Sequence, residues 1–183
     1  MNTFNYFYWN NLFSEQEVKN INSLLNKNKK EKEKLSLKAE GSKKTSTVYK
    51  IKMKYLRKHL NEAISHIIKN NQDEYGYDLF EIADEEAVNY NIYKKGEQYQ
   101  WHIDADRTKS SDIKLTALIN VSDTSFSGGD FYLLNSNNPL PVPELNNSGS
   151  MIIFNSFTLH KINPIKKGIR KTITIFLRGP AFK

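Results

Sequence analysis

A chain of 183 residues with 38% hydrophobic and 12% aromatic content has the apolar supply of one folded domain, which excludes an intrinsically disordered segment. It has no cysteine, which excludes disulfides, thiolate metal sites and a cysteine nucleophile; any metal must rest on histidine, carboxylate or other oxygen and nitrogen donors. The formal charge of +7 is carried mainly by lysine, and its densest run, KNKKEKEK at residues 27–34, mixes in glutamate, so it reads as a solvated face rather than a phosphate-tracking groove.

The aromatic start YFYWNNLF, residues 6–13, predicts a short strand leading into a helix. Ser14 is a good N-cap and Glu17 stands three residues on, the pairing of a capping box. Val18, Ile21, Leu24 and Leu25 then recur at helical spacing, so the helix is expected over about Glu15 to Asn28. Residues 29–46 are charged and contain Gly41 and Ser42, which predicts a mobile connection. A second helix is expected over about Met53 to Asn70, with Leu56, Leu60, Ile64, Ile67 and Ile68 on one side. After Gly76 the pattern changes to short β-branched and aromatic runs separated by turn residues. Strands are expected at Glu86–Lys94, Tyr99–Ile103, Lys114–Val121, Asp130–Leu134, Ser150–Phe154, Leu159–Ile162 and Thr172–Arg178. This order predicts one domain over 1–183, with helical support in about 1–75 and a β-sandwich or barrel core in about 80–180. No apolar run approaches the roughly 20 residues of a membrane span. The N-terminus lacks the basic and aliphatic regions of a signal peptide. A cytoplasmic protein without a membrane partner is the expectation.

The segment YQWHIDAD, residues 99–106, carries the chemistry. On a strand, positions i and i+2 share a face, so His102 and Asp104 project together. His160, in FNSFTLHKINP, supplies a third donor from another strand. Two imidazoles and one carboxylate on one side of a metal leave positions open for a co-substrate and O₂, as in non-haem Fe(II) oxygenases. His59 and His66 sit seven residues apart in the second helix without such a pattern and read as ordinary side chains. Asp106 is the rival of Asp104, and lies near the strand end. Arginine occurs only at Arg57, Arg107, Arg170 and Arg178. Arg170 stands ten residues after His160 at the entrance to an apolar strand. If its guanidinium points into the barrel it needs an anion, and its planar fork suits a carboxylate. Alternation puts Arg170, Thr172 and Thr174 on one face and the rival Lys171 on the other.

These segments resemble the 2-oxoglutarate- and Fe(II)-dependent dioxygenase superfamily, in particular its prolyl 4-hydroxylase-like branch. The resemblance rests on NYNIYKKGEQYQWHID (89–104), SGGDFYLL (127–134) and GSMIIFNSFTLHKINPIKKGIRKTITIFLRGP (149–180), in that order. It implies a mainly β fold, the double-stranded β-helix or distorted jelly roll, with supporting N-terminal helices. It implies Fe(II) held by His102, Asp104 and His160. It implies 2-oxoglutarate whose far carboxylate meets Arg170, with Tyr93 and, less directly, Thr174 beside it. O₂ is the oxidant and ascorbate an optional auxiliary. Oxidative decarboxylation of 2-oxoglutarate to succinate and CO₂ would be coupled to hydroxylation of a substrate C–H. Tyr99 and Trp101 flank the ligands, as pocket walls or core aromatics, and Asp130 takes a structural part at its strand start.

The branch resemblance implies a peptide or protein substrate, hydroxylated at a prolyl or other amino-acid side chain. A nucleic-acid base oxygenase is the alternative that the +7 charge permits, although no aromatic-basic groove adjoins the motif. A non-enzymatic jelly-roll module holding a structural metal is a third reading, against which the interior Arg170 argues. Residues 105–112 (with Arg107) and 36–50 are the candidate lids. Oligomeric state is not legible.

Overall fold

The computed structural model describes residues 6–29, 44–105 and 110–181, and the backbone of 35–36. Asp106, Arg107, part of each candidate lid and most of the lysine-rich run lie outside the described residues. In chain order the elements are β1 (Phe7–Trp9), α1 (Glu15–Asn28), β2 (Leu35–Ser36), β3 (Thr47–Lys52), α2 (Arg57–Asn70), β4 (Ala87–Tyr93), β5 (Tyr99–His102) and β6 (Ile113–Asn120). They continue with β7 (Ser127–Gly128), β8 (Phe131–Asn135), β9 (Asn138–Pro141), β10 (Met151–Asn155), β11 (His160–Ile162), β12 (Ile165–Lys167) and β13 (Arg170–Arg178).

Seven strands form one sheet in the order β1-β10-β6-β13-β4-β3-β2, and four form a second in the order β5-β11-β8-β9. The described strands pair antiparallel throughout both sheets. This is the mainly β architecture, with supporting helices, that the sequence predicts. One face of the large sheet buries Tyr90, Leu115, Ala117, Ile119, Ile173 and Ile175 against α1 and α2. Its other face meets the small sheet through Leu118, Ile152, Phe154, Phe131, Leu133 and Ile162. Alternation along β6 therefore feeds two cores at once, and all eight of its residues are buried.

The capping box forms as predicted: Glu17 N–H donates to Ser14 Oγ at 3.3 Å, and Ser14 N–H to Glu17 Oε2 at 2.8 Å. The second helix starts later than its apolar spacing suggests. Met53–Tyr55 is a 3₁₀ turn, and the α-helix begins at Arg57. The larger departure is at 47–52. The expectation of a mobile 36–50 fails there, because β3 pairs along its whole length with β4 and buries Val48 and Ile51. Lysines at alternate positions hide this strand in the sequence; Lys50 and Lys52 are exposed while their neighbour Ile51 is in the core. The turn-forming Gly129, at φ +70°, lies against Ile165 and 3.1 Å from the Arg170 Cδ, measured from where its Cβ would be, so a side chain there would strike the Arg170 stem.

Candidate active site

His102 ends β5 and His160 begins β11, and the two are Cα partners across that ladder. Asp104 lies two residues beyond His102, past the strand end. Its convergence comes from a bend rather than from strand alternation. The backbone N–H groups of Asp104 and Ala105 both donate to the Ser156 carbonyl, at 3.1 and 3.2 Å, and this turns the carboxylate inward. The donor atoms of the three side chains lie within 4.8 Å of one another, so they can hold one metal ion.

The orientation of both rings follows from their neighbours. His102 Nδ1 lies 2.8 Å from the Gln100 carbonyl and His160 Nδ1 2.9 Å from the Thr158 carbonyl. A carbonyl only accepts, so each Nδ1 donates to it, which leaves Nε2 as the ring atom turned toward a metal. Those Nε2 atoms face Asp104, at 3.6 Å from Oδ1 and 3.5 Å from Oδ2. The Thr116 hydroxyl, 2.8 Å from Asp104 Oδ2 and 3.0 Å from Ser156 Oγ, fixes the carboxylate from behind.

The cavity over this cluster has a volume of about 210 Å³ and is lined by Asn91, Leu118, Thr172 and Thr174 from the large sheet and by Phe131 and Ile162 from the small one. Tyr93 and Tyr99 also line it. Regular alternation would put Tyr99 on the Trp101 face, away from His102. A bulge prevents that: Tyr99 to His102 spans one residue more than its partner stretch Ile162 to His160. Tyr99 consequently stacks on His102, with ring centroids 3.3 Å apart, and burial pushes its hydroxyl up to about 12. Trp101 turns outward, where the Lys161 ammonium sits 5.1 Å from its ring, so it is not a wall of the cavity.

Arg170 opens β13 opposite Tyr93 on β4. It is wholly buried, and none of Nε, Nη1 and Nη2 has a hydrogen-bond partner. Loss of water pulls its guanidinium down to about 10, while Tyr93 and the Asp130 charge favour the cation. It lies 6.0 Å from the Tyr93 ring centroid. Lys171 points the other way, to Asp123 at 2.5 Å. Thr174 lies on the Arg170 face as predicted and accepts from Asn91 Nδ2 at 3.0 Å. Asp130 acts through its backbone at the strand start, its carbonyl accepting from Asn163 N–H at 3.0 Å. His66 packs 5.3 Å from the Trp9 ring, remote in role from the cluster.

Residues 88–178 match the family model described as the 2OG-Fe(II) oxygenase superfamily. The chain belongs to this superfamily. Among solved structures, a Pseudomonas putida prolyl-4-hydroxylase superposes with a TM-score of 0.74 at 15% identity, covering 98% of this chain and 95% of that one. A prolyl hydroxylase from Trichoplax adhaerens, in complex with a hypoxia inducible factor oxygen degradation domain peptide, gives 0.75 at 17% identity, over 97% and 84%. The viral collagen prolyl hydroxylase of Paramecium Bursaria Chlorella virus-1, in its 2-oxoglutarate complex, gives 0.69 at 15%, over 98% of both chains. These likenesses show the shared fold. No curated protein matches the sequence.

The oxygenase is therefore an enzyme that uses Fe(II), 2-oxoglutarate and O₂. Its residues fit both groups. Two imidazole nitrogens and one carboxylate form the donor set suited to Fe(II), and a buried guanidinium whose three nitrogens lack partners suits a carboxylate. Three contributors were missed in the sequence. Thr116 is a polar residue inside an apolar strand, which was a readable signal. Asn91 shares the Tyr93 face at i−2, which alternation also offers. Lys44 was not readable: its ammonium donates to Asn91 Oδ1 at 2.8 Å and lies 4.7 Å over the Tyr99 ring. Burial pulls it down to about 8, opposed by the Asp104 charge. No helix among the described residues is long and apolar enough to cross a membrane.

Proposed function

We propose that the protein is a hydroxylase of peptidyl prolyl or other amino-acid side chains, with His102, Asp104 and His160 as iron ligands and Arg170 as the receptor for the far carboxylate of 2-oxoglutarate. The observation that carries the co-substrate assignment is Arg170, whose three nitrogens are fully buried without a partner. Burying an unpaired charge costs several kcal/mol, and a dicarboxylic co-substrate removes that cost on binding. Tyr93, the Cα partner of Arg170, lines the cavity, as does Thr174 farther along the same strand face. The peptide substrate rests on the prolyl hydroxylases that share the fold, one of them solved with a peptide.

When bound, iron and 2-oxoglutarate supply O₂ activation and the oxidising equivalent. The chain supplies the rest. The Gln100 and Thr158 carbonyls keep both Nε2 lone pairs directed at the metal position, and Thr116 holds Asp104 in the orientation that leaves Oδ1 facing His102. Leu118, Phe131 and Ile162 exclude water from the reacting volume. Arg170 would hold the far carboxylate of the co-substrate.

The test is anaerobic titration of the protein with Fe(II) and 2-oxoglutarate. A visible metal-to-ligand charge-transfer band is expected, followed in air by succinate formation that rises with prolyl peptides. No band would sink the reading; a band with succinate stimulated by oligonucleotides and not by peptides would move the substrate to nucleic acid.

A further inference from the structure

We propose that Ser46 is a third donor to the far carboxylate of 2-oxoglutarate, completing with Tyr93 and Arg170 a row of three anion-facing groups. This rests on the assignment of Arg170 made above. Nothing in the sequence pointed to Ser46; it lies at the edge of a segment expected to be mobile.

The backbone register places it. β3 and β4 pair with Thr47 opposite Ile92, and Ser46, in the bend that leads into β3, lies beside the next residue of β4, Tyr93. Tyr93 in turn is the Cα partner of Arg170. Directly opposed residues share a face about 4.8 Å apart, so Tyr93 and Arg170 stand side by side, and Ser46 adjoins Tyr93 at the other flank. That face is the cavity face, because Val48 and Lys50, two and four residues along the same strand, line the cavity. Ser46 is wholly buried; its Oγ makes no full hydrogen bond and lies near the Tyr93 hydroxyl. An unmet hydroxyl in a dry interior is costly, and it coincides here with the unmet guanidinium of Arg170. Tyr93 is adjacent to both: burial drives its hydroxyl well above the usual tyrosine range, while the Arg170 charge and the Ser46 hydroxyl oppose that rise. Two unmet donors flanking one phenol on a single row constitute a receptor for an anion with several acceptor lone pairs. A carboxylate takes the Arg170 fork on one edge and still has lone pairs for the Ser46 and Tyr93 hydroxyls.

The row also has a structural consequence. Arg170 belongs to β13, in the middle of the large sheet, whereas Ser46 belongs to the run that enters β3 and that contacts β5 through Thr45, whose N–H donates to the Gln98 carbonyl at 3.1 Å. A carboxylate bound by both would fasten this entering run to the centre of the barrel.

The experiment compares the unchanged protein with Ser46→Ala, loaded anaerobically with Fe(II), by calorimetric titration with two probes. One is 2-oxoglutarate; the other is 2-oxobutyrate, which has the same 2-oxo acid end and no far carboxylate. Ser46→Ala is expected to weaken 2-oxoglutarate about tenfold, the worth of one hydrogen bond to a charged group, and to leave 2-oxobutyrate unchanged. Thermal unfolding of the ligand-free proteins should coincide or favour Ser46→Ala, because the variant deletes an unmet hydroxyl. Equal affinity of both proteins for 2-oxoglutarate overturns the role of Ser46 and leaves the proposed function standing. Equal weakening toward both probes also overturns it, since that is the signature of a packing defect. Failure of the unchanged protein to bind 2-oxoglutarate overturns this inference and the proposed function together.

Discussion

The two polar centres beside the cavity, the histidine cluster and Arg170 behind Tyr93, are built on opposite plans. At the histidine end each part of the cluster is braced: both Nδ1 atoms are held by carbonyls, and Asp104 is held by Thr116, which is itself held by Ser156. At the Arg170 end no nitrogen of the guanidinium has a partner, and the group is sealed from water. The first end holds a carboxylate and two imidazoles, each fixed by a hydrogen bond within the chain. The second holds a formal charge whose demand is met only by a ligand. A site of this kind orders its reactants: the metal position is rigid before anything binds, whereas the carboxylate position gains most of its stability on binding.

The strongest way to break that comparison is to remove a donor from the braced end. His160→Ala deletes a metal ligand outright. Its loss of Fe(II) or Co(II) affinity is expected to exceed the roughly 10–100-fold that follows loss of a supporting partner. Equilibrium metal titration checks this, and retained affinity would mean that the ion sits elsewhere.

Next in size is Arg170→Met, for which two measurements should move in opposite directions. Without ligand, replacing an uncompensated buried charge by an apolar chain of similar length should raise stability by about 1–4 kcal/mol. In the unchanged protein, 2-oxoglutarate at about 100 times its Kd should add about 2.7 kcal/mol, or about 5–10 °C in Tm for a chain of this size. In Arg170→Met that ligand-induced rise should vanish. Thermal melts with and without 2-oxoglutarate decide the matter. A variant that is less stable when empty and still shifts with ligand would show that Arg170 is a structural cation.

The contrast between the two ends also explains what was legible in the sequence. His102, Asp104, His160 and Arg170 are readable because each is a residue type with scarce alternatives at a chemically meaningful spacing. Lys171 could be set aside because strand alternation is a local rule, and it indeed turns to Asp123. What was not readable depends on events between strands. The bulge in β5 that swings Tyr99 onto His102 and turns Trp101 outward is one extra residue relative to β11, invisible until the partner is known. The interior strand β3 is masked by lysines at its exposed positions. Asp104 reaches the cluster through a bend held by the Ser156 carbonyl, some fifty residues away in sequence, although alternation alone suggested the right outcome for a different reason.

Thr116→Val probes how much the bracing matters. It preserves shape and removes the hydroxyl between Asp104 and Ser156. Metal affinity should fall about 10–100-fold, with the fold intact by circular dichroism. An unchanged affinity would show that the backbone bend alone positions the carboxylate, and the braced end would then be less dependent on its side chains than the geometry implies.

The smallest expected effect is the sharpest on assignment. Lys171 adjoins Arg170 in sequence and carries the same charge, yet its ammonium lies on the opposite face, paired with Asp123 near the surface. A pair in that position contributes about 0–1 kcal/mol. Lys171→Ala should therefore shift the denaturation midpoint little and leave 2-oxoglutarate affinity where it was, while the same titration on Arg170→Met shows the loss. The two neighbours differ only in which side of one strand they occupy. If Lys171→Ala weakened the co-substrate, the alternation that places Arg170 in the barrel would be wrong for this strand, and the unmet guanidinium would lose its claim to the carboxylate.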